Sequence, residues 1–369
     1  MIIGLVVNEL SPYLVCGGVS TWIDNMIAMF QNSSDVSVRI IFYGSTTQEI
    51  LSEDREIFCI TDNFDETPFL DVDVIVMSMW NEYAAQCIYH VREMSTRIPI
   101  IYIIHSLNIV EQLMFNPLPA IGQEKVQEKC IRSSDLVVCV SQSERILYER
   151  VGYMKLNQNV IVIPNVYLMK EFDVPSIDAY RCNDIGFIGR HIPRKRPEII
   201  SHAVYGCTNS EITVYHAGII EGRQDDSLFR ERTRRYTNKI KTIPFTTDQD
   251  KLQTEYWDKV GASCATGVYE PFGYTACEAL DRYKPLICAN VGGFAEITHK
   301  IRPGSVFSYD PDTNVQQDTY NIARAIKRFM STPADIRRDM AIRARVTLHR
   351  FAPDRIRPLW LSAFYRMMK

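Results

Sequence analysis

The stretch DIGFIGRHIPRKRPEII, residues 184–200, starts a second series of strand-like and helix-like segments in this chain. Its apolar run ends at a glycine, a basic turn follows, and Pro197 suits the first turn of a helix. Further short apolar runs occur at 211–218, 241–245, 261–267, 284–290 and 305–309. The segments 197–206 and 275–283 between them have helical periodicity. This alternation predicts an α/β domain with a parallel sheet.

A similar series precedes this stretch. Its candidate strands are residues 2–7, 36–44, 72–80, 99–105, 135–141 and 159–165. These runs are continuously apolar rather than alternating, which indicates strands that are buried on both faces of a parallel sheet. Amphipathic segments at 20–30 and 123–134 are predicted to be covering helices.

Two doubly wound, Rossmann-like α/β domains are therefore predicted, and 369 residues suit two domains. The first domain is expected over residues 1–168 and the second over 184–353. Residues 169–183 have little periodicity and are interpreted as a linker. The final segment, 354–369, is apolar and basic, and is interpreted as a helix docked on one of the domains.

Composition and charge restrict the function classes. With 41 basic against 44 acidic residues the net charge is −3, so no nucleic-acid partner is expected. The 10 cysteines show no CxxC or zinc-type spacing, which favours reduced thiols and a cytoplasmic location. The start of the chain lacks a secretory pattern, and no apolar run reaches the ~18 residues of a membrane span. At most, peripheral contact with a membrane surface is expected.

The stretch GVYEPFGYTACEAL, residues 267–280, holds two carboxylates, Glu270 and Glu278. Pro271 and Gly273 prevent a continuous helix between them. Glu270 is therefore expected on a loop at the carboxyl end of a strand, where parallel sheets bind ligands, and Glu278 on the following helix. The alternative, a surface glutamate and an ordinary helix glutamate, fits the spacing equally well.

The backbone between the two carboxylates is suited to an anion. The N–H groups of Phe272, Gly273, Tyr274 and Thr275 lie at the predicted start of the helix, where a phosphate is favoured. Carboxylates can accept hydrogen bonds from sugar hydroxyls. A nucleotide sugar offers both groups.

Four other residues lie near predicted strand ends or helix starts. Arg190 and Lys195 follow the strand of 184–189 and could neutralise a diphosphate, although a solvated basic loop is the alternative. His105 closes the apolar strand PIIYIIH and could be either a satisfied histidine or a ligand-facing one. Gly18, in the glycine loop LVCGGVSTWIDNM (14–26), precedes an amphipathic helix, and an ordinary flexible connection is the alternative. The segment forms no GxGxxG pattern, so the nicotinamide fingerprint is absent.

These segments together resemble the GT-B retaining glycosyltransferases, specifically glycosyltransferase family 4. EPFGYTACEAL resembles the E-x7-E region of that family, GRHIPRK its GR-x4-K, and VGGFAEI its GG-x-x-E segment. The motifs occur in the order of the family from residue 17 to residue 296. The chain departs from the pattern at Val166 and Tyr283, where glycine is common, and neither change removes a proposed ligand.

The resemblance implies two Rossmann-like domains facing a cleft, with the last helix on the first domain. It also implies a retaining hexosyl- or pentosyltransferase. Arg190 and Lys195 would bind the diphosphate of the donor, with Gly18 near the phosphate. Glu278 would hold the ribose, and Glu270 the transferred sugar. His105 would contact the sugar near the reacting carbon. Backbone amides would contact the phosphate or the sugar, namely those of Phe272, Gly273, Tyr274 and Thr275.

The resemblance further implies no metal and no cofactor besides a UDP-, GDP- or ADP-linked sugar as co-substrate, with a glycan or lipid-linked acceptor possible. The DVD at 71–73 begins an apolar strand and is interpreted as structural rather than as a metal–diphosphate motif. Two carboxylates would also suit a glycoside hydrolase, which has no use for Arg190 and Lys195. A sugar-nucleotide epimerase that does not hydrolyse its donor and a non-catalytic nucleotide-sugar sensor stay open as alternatives.

Overall fold

A computed structural model gives the fold of the protein. It describes residues 1–8, 17–31, 33–43, 57–60, 64–79, 82–94, 96–115, 122–208, 212–220, 224–299, 301 and 305–369. The chain divides into two compact units, one formed by Met1–Leu168 with Phe351–Lys369 and the other by Met169–Arg350. Residues 44, 80 and 211, at the ends of predicted strands, lie outside the described residues.

The first unit contains a seven-stranded sheet. Its strands are β1 (Ile2–Val7), β2 (Ser37–Tyr43), β3 (Ile57–Ile60), β4 (Val74–Ser78), β5 (Ile100–Ile104), β6 (Leu136–Cys139) and β7 (Val160–Val162). They lie in the order β3-β2-β1-β4-β5-β6-β7, and all neighbours are parallel. The order changes direction between β1 and β4, the switch point of a doubly wound sheet.

Helices connect these strands. They are α1 (Gly18–Phe30), α2 (Glu82–Glu93), α3 (Asn108–Phe115), α4 (Gln123–Ser133) and α5 (Gln142–Arg150). Every residue of β4 and β5 is buried, because a central strand of such a sheet is covered on both faces. This explains why the two strands are continuously apolar in sequence.

Strand β3 was not predicted, since the sequence pattern gave six strands in this series. It is four residues long and lies at the edge of the sheet. So short a run carries too little periodicity to be separated from a loop.

The second unit contains a six-stranded sheet. Its strands are β8 (Ile185–Ile188), β9 (Val214–Ile219), β10 (Ile240–Pro244), β11 (Ala262–Ala265), β12 (Leu286–Ala289) and β13 (Phe307–Tyr309). The order is β10-β9-β8-β11-β12-β13, again with parallel neighbours. The prediction of two Rossmann-like parallel-sheet folds is confirmed.

In this unit the sequence predicted helices over 197–206 and 275–283, and the structure contains these and others. The helices are α6 (Glu198–Ser201), α7 (Gln224–Thr233), α8 (Gln249–Leu252), α9 (Tyr274–Asp281), α10 (Gly292–His299), α11 (Val315–Ser331) and α12 (Ala334–Val346). The segment 197–206, predicted as one helix, is α-helical only in α6 and continues as a π-helix over His202–Thr208.

The segment 169–183, interpreted as a linker, belongs to the second unit and contains a short 3-10 helix, Ile177–Arg181. The N–H of Lys170 donates to Asp281 at 2.9 Å, and Arg337 of α12 donates to the carbonyl of Tyr180 at 3.2 Å. Side chains of other elements therefore hydrogen-bond to the backbone of this segment. Because these contacts hold it in place, it has a defined structure without a helical or strand-like sequence pattern.

The last helix, α13 (Pro353–Met367), belongs to the first unit. Its Trp360 ring lies 6.4 Å from that of Trp22, and its Phe364 ring 6.0 Å from that of Phe30, both in α1. Of the helices in the described part of the chain, none is both long and apolar enough to span a bilayer.

Candidate functional site

The predicted carboxylates and cations of the second unit lie where strands β8 and β11 end. These strands are neighbours at the point where the strand order changes direction. In open parallel sheets the carboxyl edge at such a point is the usual ligand site. Glu270 follows β11, and Arg190 and Lys195 follow β8, so the structure brings these three residues to one edge of the sheet.

Backbone contacts join the two loops that carry these residues. The hydroxyl of Thr266 donates to the carbonyl of Lys195 at 2.6 Å, and the N–H of Val268 donates to the carbonyl of Arg194 at 3.1 Å. Between them, Gly267 has a φ of 129°, and a Cβ there would lie 2.7 Å from the Arg194 carbonyl oxygen. The close approach of the loops therefore depends on a glycine.

Glu270 lies close to two cations. It is 8% exposed, and its Oε2 lies 3.4 Å from Nζ of Lys195 and 3.6 Å from Nη1 of Arg194. Burial lowers the pKa of Lys195, and the Glu270 charge opposes that shift, while Arg194 and Arg190 add to it. The arrangement places a buried carboxylate against a concentration of positive charge.

The start of helix α10, which follows β12, supports the backbone of the Glu270 segment. The N–H of Gly293 donates to the carbonyl of Glu270 at 2.7 Å. A Cβ at Gly292 would lie 2.2 Å from that carbonyl oxygen, and one at Gly293 would lie 2.0 Å from the carbonyl oxygen of Phe272. The two glycines of VGGF are therefore required by contact with the loop that carries Glu270.

Helix α9 begins directly after this loop. Its N-cap, Gly273, has a φ of 107°, and its carbonyl accepts from the N–H groups of Ala276 and Cys277. In the first turn of a helix the N–H groups have no intrahelical acceptor, which makes the amides of Tyr274 and Thr275 suited to an anion. The Phe272 ring is buried and lies 5.0 Å from that of Tyr274, which fixes the approach to the helix.

Glu278 is half-buried one turn further along α9. Burial raises the pKa of its carboxyl, while Arg282, Lys195 and Lys170 oppose the shift. Arg282 is held in place by the ring of Trp257, 4.7 Å from its guanidinium carbon. Glu278 is thus a carboxylate whose ionised form depends on nearby cations.

His105 and Gly18 belong to the first unit. His105 follows β5, and its Nε2 lies 2.8 Å from the hydroxyl of Ser78 at the end of β4. Its ring meets Trp22 edge-on at 4.9 Å, and burial lowers its pKa to about 3, so the imidazole is neutral at physiological pH. Gly18 is the first residue of α1, after Gly17, whose φ is 122°. Residues 14–16 of the predicted glycine loop lie outside the described residues.

Sequence reasoning missed Arg194. This residue is 8% exposed, its Nη1 donates to the carbonyl of Tyr269 at 3.2 Å, and it is the second cation at Glu270. Its neighbour Arg196 has a φ of 45° and instead pairs with Asp318 at 2.7 Å. The only signal in the sequence was a run of basic residues, which does not say which of them is turned inward.

A metal-ligand cluster was not expected from the sequence. Among the residues that the structure describes, no three His, Cys, Asp or Glu side chains form a group able to hold a metal ion. Asp73, from the DVD at 71–73, accepts a hydrogen bond from the N–H of Ile2 at 2.7 Å.

Comparison with known proteins gives a family match over part of the chain. Residues 179–347 match the family model described as Glycosyl transferases group 1. Together with the fold, this match supports a glycosyltransferase of the GT-B fold. A comparison with curated proteins gives no match.

Several solved structures share the fold over nearly their whole length. Sucrose-phosphate synthase from Thermosynechococcus elongatus is similar with a TM-score of 0.78 at 18% identity, covering 99% of this chain and 98% of that chain. HepE from Anabaena, in complex with UDP and glucose, has a TM-score of 0.75 at 17% identity, covering 98% and 99%. A trehalose-6-phosphate structure from E. coli bound with UDP-2-fluoro glucose has a TM-score of 0.70 at 12% identity, covering 99% of each chain. At these identities the likeness shows the fold.

Proposed function

We propose that the protein transfers a sugar from a nucleoside diphosphate sugar to an acceptor hydroxyl, with retention of anomeric configuration and without a metal ion, as in glycosyltransferase family 4. The observation that carries the proposal is the buried Glu270 carboxylate, which lies 3.4 Å from Lys195, on the loop that leads into α9. Cations, helix-start amides and carboxylates suit the diphosphate and hydroxyl groups of one donor. The UDP and UDP-2-fluoro glucose in the similar structures support this substrate class.

Arg190, Lys195 and the first-turn amides of α9 take the leaving diphosphate in this proposal. Charge develops on the diphosphate as the bond to the sugar breaks, and fixed cations and dipoles stabilise it. A diphosphate next to Lys195 also favours the protonated amine, which burial alone disfavours. Lys195 is therefore better suited to act as a cation with donor bound than without it.

The two carboxylates hold different parts of the donor. Glu278 accepts hydrogen bonds from the ribose hydroxyls, and the charge of Arg282 favours its ionised form. Glu270 holds the hydroxyls of the transferred sugar and stabilises positive charge that develops at its anomeric carbon. Gly18 and His105 keep their predicted roles towards phosphate and sugar. A neutral His105, with one nitrogen close to Ser78, can make a hydrogen bond through its other nitrogen without adding charge.

The proton of the acceptor goes to the leaving group. The bond between the anomeric carbon and the phosphate oxygen breaks, the acceptor oxygen bonds to that carbon on the same face, and the acceptor proton moves to the diphosphate oxygen. Atoms and charge balance without a base from the protein. The side chains then serve to position the donor and to stabilise charge.

A thermal-shift screen tests the substrate class. UDP-, GDP-, ADP- and TDP-glucose are added to the protein in EDTA, and one of them is expected to raise the Tm, because a ligand that binds only the folded state stabilises it by mass action. The stabilising donor should then release its nucleoside diphosphate slowly in water, and faster with a glycan or lipid-linked acceptor. NMR of the product should show the anomeric configuration of the donor.

Other outcomes contradict the proposal. Conversion of the donor sugar to an epimer without an acceptor indicates an epimerase. Binding without hydrolysis or transfer to any acceptor indicates a sensor. Loss of binding in EDTA, restored by added Mg²⁺, contradicts the metal-independent part.

A further inference from the structure

The carboxylate of Glu270 lies next to two cations, Arg194 and Lys195, although one would neutralise its charge. We infer that Arg194 is a positioning residue, which holds the Glu270 carboxylate in place when the donor diphosphate engages Lys195. This inference rests on the proposed function. It assigns to Arg194 a role that neither the sequence motifs nor the family match indicates.

The side chain of Arg194 is anchored independently of Glu270. Its Nη1 donates to the carbonyl of Tyr269 at 3.2 Å, and its guanidinium carbon lies 6.0 Å from the centre of the Tyr269 ring. The same Nη1 lies 3.6 Å from Oε2 of Glu270. Because Tyr269 is the residue before Glu270, the guanidinium is fixed to the segment whose carboxylate it faces.

The backbone of Arg194 is tied to the same loop. Its carbonyl accepts from the N–H of Val268 at 3.1 Å, and Gly267 approaches it closely enough that a Cβ would lie 2.7 Å from the oxygen. Main chain and side chain of one residue therefore contact three consecutive residues, Val268, Tyr269 and Glu270. The distance between guanidinium and carboxylate is kept even if the loop as a whole moves.

Lys195 differs from Arg194 in how it is held. Its Nζ is a point charge on a flexible four-carbon chain, whereas the guanidinium is planar and already engaged. An incoming diphosphate carries more negative charge than one carboxylate, so it competes with Glu270 for Lys195. Once Lys195 turns to the diphosphate, Arg194 is the cation that stays at Glu270.

Removal of Arg194 should leave Glu270 and the diphosphate competing for one lysine. A carboxylate that is 8% exposed is costly to leave without a partner charge. In the variant, Glu270 retains Lys195 or turns away from the sugar, and both outcomes reduce turnover more than they reduce ground-state binding of the donor.

The test is a double-mutant cycle on slow donor hydrolysis, with UDP-glucose as the first probe and the other donors of the screen in parallel. Arg194→Met should lower kcat about 30- to 100-fold and change KM less than about threefold. Arg194→Lys should recover about a tenth or more of the lost rate, because it restores the charge without the planar geometry. In a Glu270→Gln background, Arg194→Met should cost less than about threefold, because its partner charge is already removed.

Arg337→Met is the matched control, since Arg337 is 4% exposed and donates to backbone carbonyls of the 169–183 segment. It should lower the Tm and leave kcat unchanged at temperatures where the variant is folded.

Equal costs of Arg194→Met in wild type and in Glu270→Gln overturn the positioning role while the proposed function stands. The positioning role is also overturned if Arg194→Met behaves like the control, with a lower Tm but an unchanged kcat at temperatures where it is folded. A wild-type protein that hydrolyses and transfers none of the donors overturns the proposed function, and the role with it.

Discussion

At the residue scale, two glycines of helix α10 hold the loop that carries Glu270. The N–H of Gly293 donates to the Glu270 carbonyl, and its Cα lies against the carbonyl of Phe272 so closely that a Cβ would be 2.0 Å from the oxygen. Gly292 has a φ of 46° and a comparable clash with Glu270. The contact between backbones leaves no space for a side chain.

Gly293→Ala tests this contact. The added methyl group must displace the backbone of Phe272, so we expect a loss of about 1–3 kcal/mol in unfolding free energy and weaker donor binding. Gly206→Ala is the control, because a Cβ at Gly206 would meet only the hydroxyl of Tyr236, at 3.4 Å. Denaturant unfolding and thermal shift with the donor measure both effects. Equal stability of the two variants would show that the backbone at Phe272 can move away from an alanine at position 293 without loss of unfolding free energy.

Tyr283 shows how a residue other than glycine is accommodated where glycosyltransferase family 4, which the sequence resembles, commonly has glycine. Its φ is 55°, a left-handed conformation that costs of order 1 kcal/mol or more for such a residue. Arg345 offsets the strain. Its guanidinium carbon lies 4.8 Å from the centre of the Tyr283 ring, and its Nη1 donates to the phenol oxygen at 3.2 Å.

At the element scale, helix α13 supports the position of His105 through two tryptophans. The Trp360 ring lies 6.4 Å from Trp22, and the Trp22 ring lies 4.9 Å from His105. Trp360 and Trp22 are each 1% exposed. The last helix of the chain is therefore part of the core behind the strand end that carries His105.

Trp360→Ala should lower the unfolding free energy by about 3–5 kcal/mol, because it leaves a cavity next to Trp22. We also expect a change in the His105 ring signals in NMR spectra, since Trp22 loses its support. Leu359→Ala, one residue earlier and 43% exposed, is the control and should change stability by less than about 1 kcal/mol. A Trp360→Ala protein with unchanged His105 signals would show that Trp22 is held by other contacts.

At the scale of the whole molecule, burial favours the neutral form of His105 in the first unit and of His191 and His216 in the second. In the second unit His191 has a fully buried side chain, with Nδ1 3.6 Å from Asp226 and the ring 5.7 Å from that of His216. Burial lowers the pKa of His191 to about 4, and Arg230 adds to the shift. Burial also lowers the pKa of His216.

These shifts predict acid destabilisation. The folded pKa of His191 lies below the unfolded value near 6.5, so the unfolded chain takes up the proton first as the pH falls. The contribution to stability is complete above about pH 6.5 and is lost towards pH 4, by roughly 3 kcal/mol for this residue. The measurement is the unfolding free energy of the second unit between pH 8 and pH 4.5. Since the folded pKa is about 4, part of the His191 contribution is still present at pH 4.5.

His191→Phe keeps a ring between Phe187 and Phe229 and should give a shallower decrease with pH. His299→Gln, at an exposed position, is the control and should keep the wild-type slope. If the slopes of all three proteins coincide, His191 does not cause the acid sensitivity.

The sequence alone determined the two parallel sheets and the segment that carries Glu270 and α9. Continuous apolar runs reveal strands that are buried on both faces, and proline and glycine mark where a strand gives way to a helix. Both signals are local, so they can be seen without the fold. Strand β3 was missed because four residues at an edge give no such signal.

Only the tertiary structure decided that Arg194 joins the predicted Lys195 at Glu270. Arg194 turns to Glu270, whereas Arg196, two residues later, pairs with Asp318 of α11. The direction of a loop side chain depends on the backbone angles of that loop and on partners distant in the chain. A local pattern contains neither, so the sequence does not distinguish Arg194 from Arg196.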